Sequence, residues 1–179
     1  MAKMTRELPN PEQFVSRQLD QSTKIYDRTG QVLLYEIHGA EKRTVIAFED
    51  IPEYIKQATL ASEDQSFYTH PAFDWRAMVR ALIIDISKGK FVQGASTITQ
   101  QLAKNAFLTP EKTISRKVKE LVLAYWIEQR YSKDEILNLY LNQIPYGSKA
   151  YGVEAASEMF FSKQAKNLTL AESAVMAAI

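Results

Sequence analysis

The chain of 179 residues contains no cysteine. That excludes disulfides and cysteine metal sites, and it leaves the redox compartment open, because an oxidising compartment tolerates the absence as readily as a reducing one. The two histidines, His38 and His70, stand far apart in the sequence, so no metal cluster built on histidine and cysteine is expected. No apolar run approaches the roughly 18 residues needed to span a bilayer; the longest, Leu121-Val-Leu-Ala-Tyr-Trp-Ile127, is far shorter. A formal net charge of +1 exerts no global pull on nucleic acid, so an anionic partner has to be met by a local cluster of cations. Also missing are a phosphate-cradling glycine loop of the Walker or Rossmann type and a nucleophile-elbow serine. There is no internal repeat and no low-complexity segment.

What remains is the composition of one globular domain, 46% hydrophobic and 24% charged, long enough for one substantial core. Residues 1–22 read as a polar lead-in with Pro9 and Pro11 and without the pattern of a signal peptide. The apolar pattern Leu168 to Ile179 stops without a helix cap, and the expectation is a piece of a longer protein.

In chain order, Thr23–Asp27 and Gln31–Ile37 are β-favouring runs around Arg28-Thr-Gly30, a hairpin pattern that a third run, Thr44–Phe48, is expected to join. After Pro52 the apolar period lengthens from two to three or four, with Tyr54, Ile55, Ala58 and Ala61 marking a helix that delivers Glu63 at its last turn. Asp74 caps a second helix with Trp75, Met78, Val79, Leu82, Ile83 and Ile86 on its apolar face, followed by Phe91 and Val92. This face fits a helix lying at a lipid surface and fits a plain core face equally well. Ser96 opens a short helix through Asn105, and a long one runs from Thr109-Pro110-Glu111 to about Tyr131, with Ile114, Val118, Leu121, Val122 and Tyr125 as the face expected to pack. Ser132-Lys-Asp-Glu135 and Thr169-Leu-Ala-Glu172 are capping boxes.

Chemistry concentrates in three places. Glu63-Asp64 puts two carboxylates at the negative end of a helix dipole, where they cost stability, which suggests a use for them. Ser96-Thr-Ile-Thr-Gln-Gln101 offers five hydroxyl or amide side chains at a helix start; this suits either a well-capped amphipathic turn or a rack of partners for a sugar or pyrophosphate. Arg116 and Glu120 share a helix face, with Lys104 and Lys117 nearby. An exposed ion pair is the plain explanation. The sharper one has Lys104, Arg116 and Lys117 surrounding a polyanionic leaving group while Glu63 and Glu120 face the reacting carbons. Paired carboxylates in a helical cleft supply general acid/base catalysis to sugar-processing enzymes, although spacing alone does not specify a sugar.

Five segments in order carry a family resemblance: Glu63-Asp-Gln-Ser-Phe-Tyr-Thr-His70, Gly94-Ala-Ser-Thr-Ile-Thr-Gln-Gln101, Arg116-Lys-Val-Lys-Glu120, Glu135-Ile-Leu-Asn-Leu-Tyr-Leu-Asn142 and Ala155-Ala-Ser-Glu-Met-Phe-Phe-Ser-Lys163. They resemble the five motifs of glycosyltransferase family 51, the peptidoglycan glycosyltransferases of class A penicillin-binding proteins and monofunctional cell-wall enzymes. The resemblance implies a mainly α, lysozyme-like helical lobe over residues 23–179, with a short β element at its amino end and a membrane-proximal jaw at roughly 75–110. It implies polymerisation of lipid II into β-1,4-linked glycan with inversion and release of undecaprenyl pyrophosphate. Glu63 would be the general base and Glu120 the second acid, assisting or holding the donor. Lys104, Arg116 and Lys117 would neutralise the pyrophosphate, and Asp64, Phe67, His70, Ser96, Thr97, Gln100, Gln101 and Asn105 would shape the cleft.

The implied partners are lipid II, the growing glycan strand and the membrane surface, with no nucleic acid. The implied place is the extracytoplasmic face of a bacterial cell membrane, reached through an amino-terminal membrane helix, and a transpeptidase domain beyond Ile179 is left open. A magnesium or manganese ion at the donor pyrophosphate is also implied, without assigned protein ligands. A lysozyme-like hydrolase and a non-catalytic glycan-binding module are the alternatives; the first has no need of the cation cluster and the second none of both acids. The chain departs from the family pattern at Ala72, at Ser162 within Phe161-Ser-Lys163, and in Gln143-Ile-Pro-Tyr-Gly-Ser-Lys149, where the family is richer in glycine.

Overall fold

A computed structural model describes residues 21–39, 41–73, 96–109, 111 and 113–179. Within them the expected hairpin forms from β1 (Thr23–Tyr26) and β2 (Leu33–Ile37), antiparallel with Ile25 opposite Tyr35. Its turn is organised by Asp27, whose carboxylate accepts the backbone N–H groups of Gln31 and Val32 and the Thr29 hydroxyl.

The third run does not join this hairpin. β3 is Lys42–Arg43, and it pairs in parallel with β4 (Ala150–Tyr151) in a separate two-stranded sheet. The reason lies at Ile46, whose N–H donates to Asn142 Oδ1 at 2.9 Å and whose carbonyl accepts from Asn142 Nδ2 at 3.0 Å. Backbone groups already satisfied by an amide side chain are not available to a strand ladder.

Six α-helices dominate the described residues: α1 (Glu53–Glu63), α2 (Ile98–Phe107), α3 (Ile114–Glu128), α4 (Lys133–Gln143), α5 (Val153–Phe161) and α6 (Leu170–Ala177). The mainly helical class read from the sequence is the one the structure has. Pro52 stands at the N-cap of α1, which ends at Glu63 as expected. The start of α2 is capped by Thr97, one residue beyond the expected Ser96. Both capping boxes form, at Ser132 with Glu135 and at Thr169 with Glu172. α2 packs on α3 and α4, and α1 packs on α6. Ile55, Phe67, Ile98, Leu102, Leu123 and Ile136 are fully buried in one core.

The packing face of α3 differs from the expected one. Ile114, Val118 and Tyr125 are exposed, while Glu120, Leu123, Ala124 and Ile127 turn inward. A buried carboxylate reads from sequence as a surface residue unless its partners are known; here Arg116 and Lys117 bind Glu120 and make its burial tolerable.

Residues 1–20, the larger part of the expected lead-in, lie outside the described residues. So does the apolar segment from Trp75 to Val92. Of the span 75–110 expected as a jaw, residues 98–107 form α2 within the core. No helix among the described residues is long and apolar enough to cross a membrane.

Backbone at and around glycine positions decides local geometry. Gly152, at φ +81°, enters α5 with its Cα so close to α4 that a Cβ would lie 2.6 Å from the Asn142 carbonyl oxygen, so any side chain there must push the helices apart. Conversely, Ser148, Lys149 and Ser162 hold left-handed backbone without being glycine. These are the segments in which the chain has fewer glycines than the family pattern.

Ser162→Gly is expected to raise stability by about 0.5–1 kcal/mol, the left-handed penalty less the entropy glycine adds to the unfolded chain; urea denaturation measures it. A second expectation concerns acid. Lys163, then Thr169, hold the Glu172 carboxyl down to about 2 from its ordinary 4.5. The stabilisation from this cap is therefore present above pH 4.5 and is lost as pH falls from there toward 2. Thermal melts of Glu172→Gln across that range are expected to vary less with pH than those of the parent.

Candidate active site

The two carboxylates that end α1 are unequal. Glu63 is exposed, whereas Asp64 is buried. Asp64 Oδ1 lies 2.6 Å from His70 Nε2, and its Oδ2 accepts the backbone N–H of Ile98, the first residue of α2, at 3.1 Å. The dipole cost of an acid at the end of α1 is thus offset at the positive start of α2. His70 is clamped on its other side by the Pro71 carbonyl, 2.5 Å from Nδ1. Phe67 is fully buried and meets His70 edge-on at 6.4 Å between ring centroids, with the Lys133 ammonium 4.4 Å above its ring. Beside it, burial and then the Asp134 carboxylate, which accepts the Tyr68 hydroxyl at 2.8 Å, push the Tyr68 phenol up to about 12.

α2 supplies the next set. Thr97 accepts the Gln100 N–H and donates its own hydroxyl to the Ala72 carbonyl at 2.8 Å; the Gln100 amide also donates to that carbonyl. Ala72 is completely buried, and its carbonyl ties the Glu63–Phe73 segment to the start of α2. Gln101, the adjacent residue, turns the other way and donates from Nε2 to Glu63 Oε2 at 2.7 Å. Glu63, Gln101, Lys104 and Asn105 then line a cavity of about 210 Å³, closed by Tyr140, Tyr146 and Met176 among others.

The third set is an ion cluster on α3. Glu120 is 2% exposed, and both its oxygens are engaged: Oε2 by Arg116 Nη1 at 2.6 Å, Oε1 by Lys117 Nζ. Lys117 also donates to Ser96 Oγ at 2.9 Å and Gln100 Oε1 at 3.0 Å. Three acceptors use up the three N–H bonds of an ammonium. Arg116 keeps a buried Nε–H without a hydrogen-bond partner among the described residues.

The residues expected to form a site are therefore brought together as two adjoining halves. Lys104 and Asn105 share the cavity of Glu63; Arg116, Lys117 and Ser96 gather at Glu120; Gln100 and Gln101 stand between. Asp64, Phe67, His70 and Thr97 form the framework behind them. The sequence reading passed over Tyr140, whose hydroxyl donates to Gln101 Oε1 at 3.2 Å, and the Ala72 carbonyl. Tyr140 had a usable signal, since a tyrosine on a buried helix face needs a partner for its hydroxyl.

In this helical domain one exposed carboxylate opens on a cavity, and a second carboxylate lies buried under two cations beside it, a pair of acids of the kind that sugar-processing chemistry uses. The sequence profile described as Transglycosylase matches residues 30–179, and the chain belongs to that family. Penicillin-binding protein 1A of Aquifex aeolicus (strain VF5) is 46% identical over 174 residues, 97% of this chain and 24% of that protein. Penicillin-binding protein 2D of Bacillus subtilis (strain 168) is 49% identical over 164 residues, 92% of this chain and 24% of that protein. Penicillin-binding protein 4 of the same organism is 40% identical over 184 residues, 99% of this chain and 30% of that protein. The chain thus spans less than a third of the length of these relatives.

Removing the Asp64 carboxylate strands the Ile98 N–H and His70 in the interior. Asp64→Ala is expected to lower unfolding free energy by about 2–4 kcal/mol, read by denaturant titration, with Asp64→Asn losing less because it keeps one acceptor.

Proposed function

We propose that this chain is a peptidoglycan glycosyltransferase that polymerises lipid II into β-1,4-linked glycan strands at the extracytoplasmic face of a bacterial cell membrane. The observation that carries the reading is the unequal state of the two glutamates. Glu63 has one oxygen held by Gln101 and opens on a cavity that Lys104 also lines; Glu120 has both oxygens committed to cations.

A carboxylate with an open oxygen suits a general base. Glu63 takes the proton from the acceptor sugar's 4-hydroxyl as that oxygen attacks the anomeric carbon of the donor. The bond from that carbon to the pyrophosphate oxygen breaks on the opposite face, the electron pair leaves on undecaprenyl pyrophosphate, and configuration inverts. Lys104 and Arg116 supply positive charge that meets the charge developing on the leaving group, where fixed cations are most effective. Lys117, with its hydrogen bonds already assigned, contributes its field. Glu120 keeps Arg116 and Lys117 in place and prevents a bare pair of like charges.

A divalent cation, magnesium or manganese, fits this scheme as a companion of the donor's pyrophosphate oxygens. Among the described residues no three histidine, aspartate or glutamate side chains converge to hold one, and no step is routed through it. The matched relatives are named as penicillin-binding proteins; a transpeptidase domain joined to this one in the full-length protein is part of the proposal.

Incubation with labelled lipid II and magnesium is expected to give polymer, and cleavage of finished glycan without polymer would sink the reading. Glu63→Gln is expected to lower kcat by about 10²-fold or more with a melting temperature within about 2 °C of the parent, because the exposed side chain carries little of the fold.

A further inference from the structure

We infer that Tyr140 is a positioning residue for the reaction: its hydroxyl orients the Gln101 amide so that an N–H of that amide, and not its carbonyl oxygen, meets Glu63. The inference rests on the reading of Glu63 as the base and extends it to a residue on a helix that no part of that reading uses.

The two ends of a glutamine amide are nearly the same size and its last torsion is close to two-fold, so packing alone hardly distinguishes the two orientations. Hydrogen bonding does. Tyr140 lies on α4, is 2% exposed, and donates to Gln101 Oε1 at 3.2 Å, while Gln101 Nε2 reaches Glu63 Oε2 at 2.7 Å. Turning the amide over would set its oxygen against a carboxylate oxygen and strand the phenol proton in the interior, where an unmade hydrogen bond is expensive. Burial, and then the charges of Glu63 and Asp64, push the ionisation of the Tyr140 phenol up, so it keeps its proton and remains a donor. Tyr146 lines the same cavity, but its buried hydroxyl makes no hydrogen bond among the described residues. It therefore cannot serve as this link.

An oriented N–H on one oxygen fixes the plane of the Glu63 carboxylate and leaves the other oxygen presented to the acceptor. A substrate-binding contribution is not part of this role, so the effect falls on turnover.

The test is Tyr140→Phe, which keeps the ring and deletes the hydroxyl, measured for lipid II polymerisation alone and on top of Gln101→Leu. The expected result is a fall in kcat of roughly five- to tenfold, the rate equivalent of one hydrogen bond, with KM within about twofold of the parent. In the Gln101→Leu background the same change is expected to cost nothing further. An unchanged kcat in Tyr140→Phe, or an equal loss in both backgrounds, overturns the proposal; the second would mark Tyr140 as core packing only. The side-chain amide resonances of Gln101 give a readout without activity. Tyr140→Phe is expected to shift them and to weaken their response to Glu63→Gln, and indifference to both substitutions overturns the relay. Should the parent chain make no polymer, the reading of Glu63 fails and the Gln101 resonances decide the relay by themselves.

Discussion

The buried carboxylate of Asp64 fastens the carboxyl end of α1 to the amino end of α2, and the geometry around Glu63 depends on that fastening. One oxygen holds His70 and the other holds the Ile98 N–H, so the backbone between the helices has little freedom in the stretch that carries Phe67 and Ala72. Because Asp64 is committed inward, the preceding side chain is turned to the outside. Two consecutive acids at a helix end, which look redundant in the sequence, are an exposed residue and then a buried structural one.

α2 converts this fastening into a site. Neighbouring residues on a helix point about 100° apart, and Gln100 and Gln101 use that angle. Gln100 accepts from Lys117 in the cation half while Gln101 donates to Glu63 in the carboxylate half. Glu63 and the Arg116–Lys117 cluster are therefore held at a fixed spacing by one rigid element. This arrangement meets the requirement that charge-stabilising groups be in place before charge develops.

Local signals were legible in the sequence and distant ones were not. The capping boxes at Ser132 and Thr169 and the end of α1 at Glu63 follow from residues within a few positions of each other, and all three are present. The β3–β4 pairing could not be read, because Lys42 and Ala150 are neighbours only through the fold and because Asn142 occupies the backbone at Ile46 that pattern alone would give to a strand. The packing face of α3 was misread for an electrostatic reason: Glu120 is buried only because two cations from its own helix come with it. In the site, acids, cations and their order along the chain were visible. The exposure of Glu63 beside the burial of Glu120 with both its oxygens engaged, and the phenol behind Gln101, needed the third dimension.

The packing of α1 on α6, with the Ser62 hydroxyl on the Ala177 carbonyl at 3.3 Å, bears on how the protein is made. A chain leaving the ribosome presents α1 long before α6, and Asn142 and Tyr151 are likewise needed before Ile46 and β3 find their partners. Contacts of such sequence separation form late and slowly. The carboxylate at the end of α1 thus acquires its walls only once the residues through α6 have been synthesised, so a nascent fragment carries Glu63 without the cavity around it.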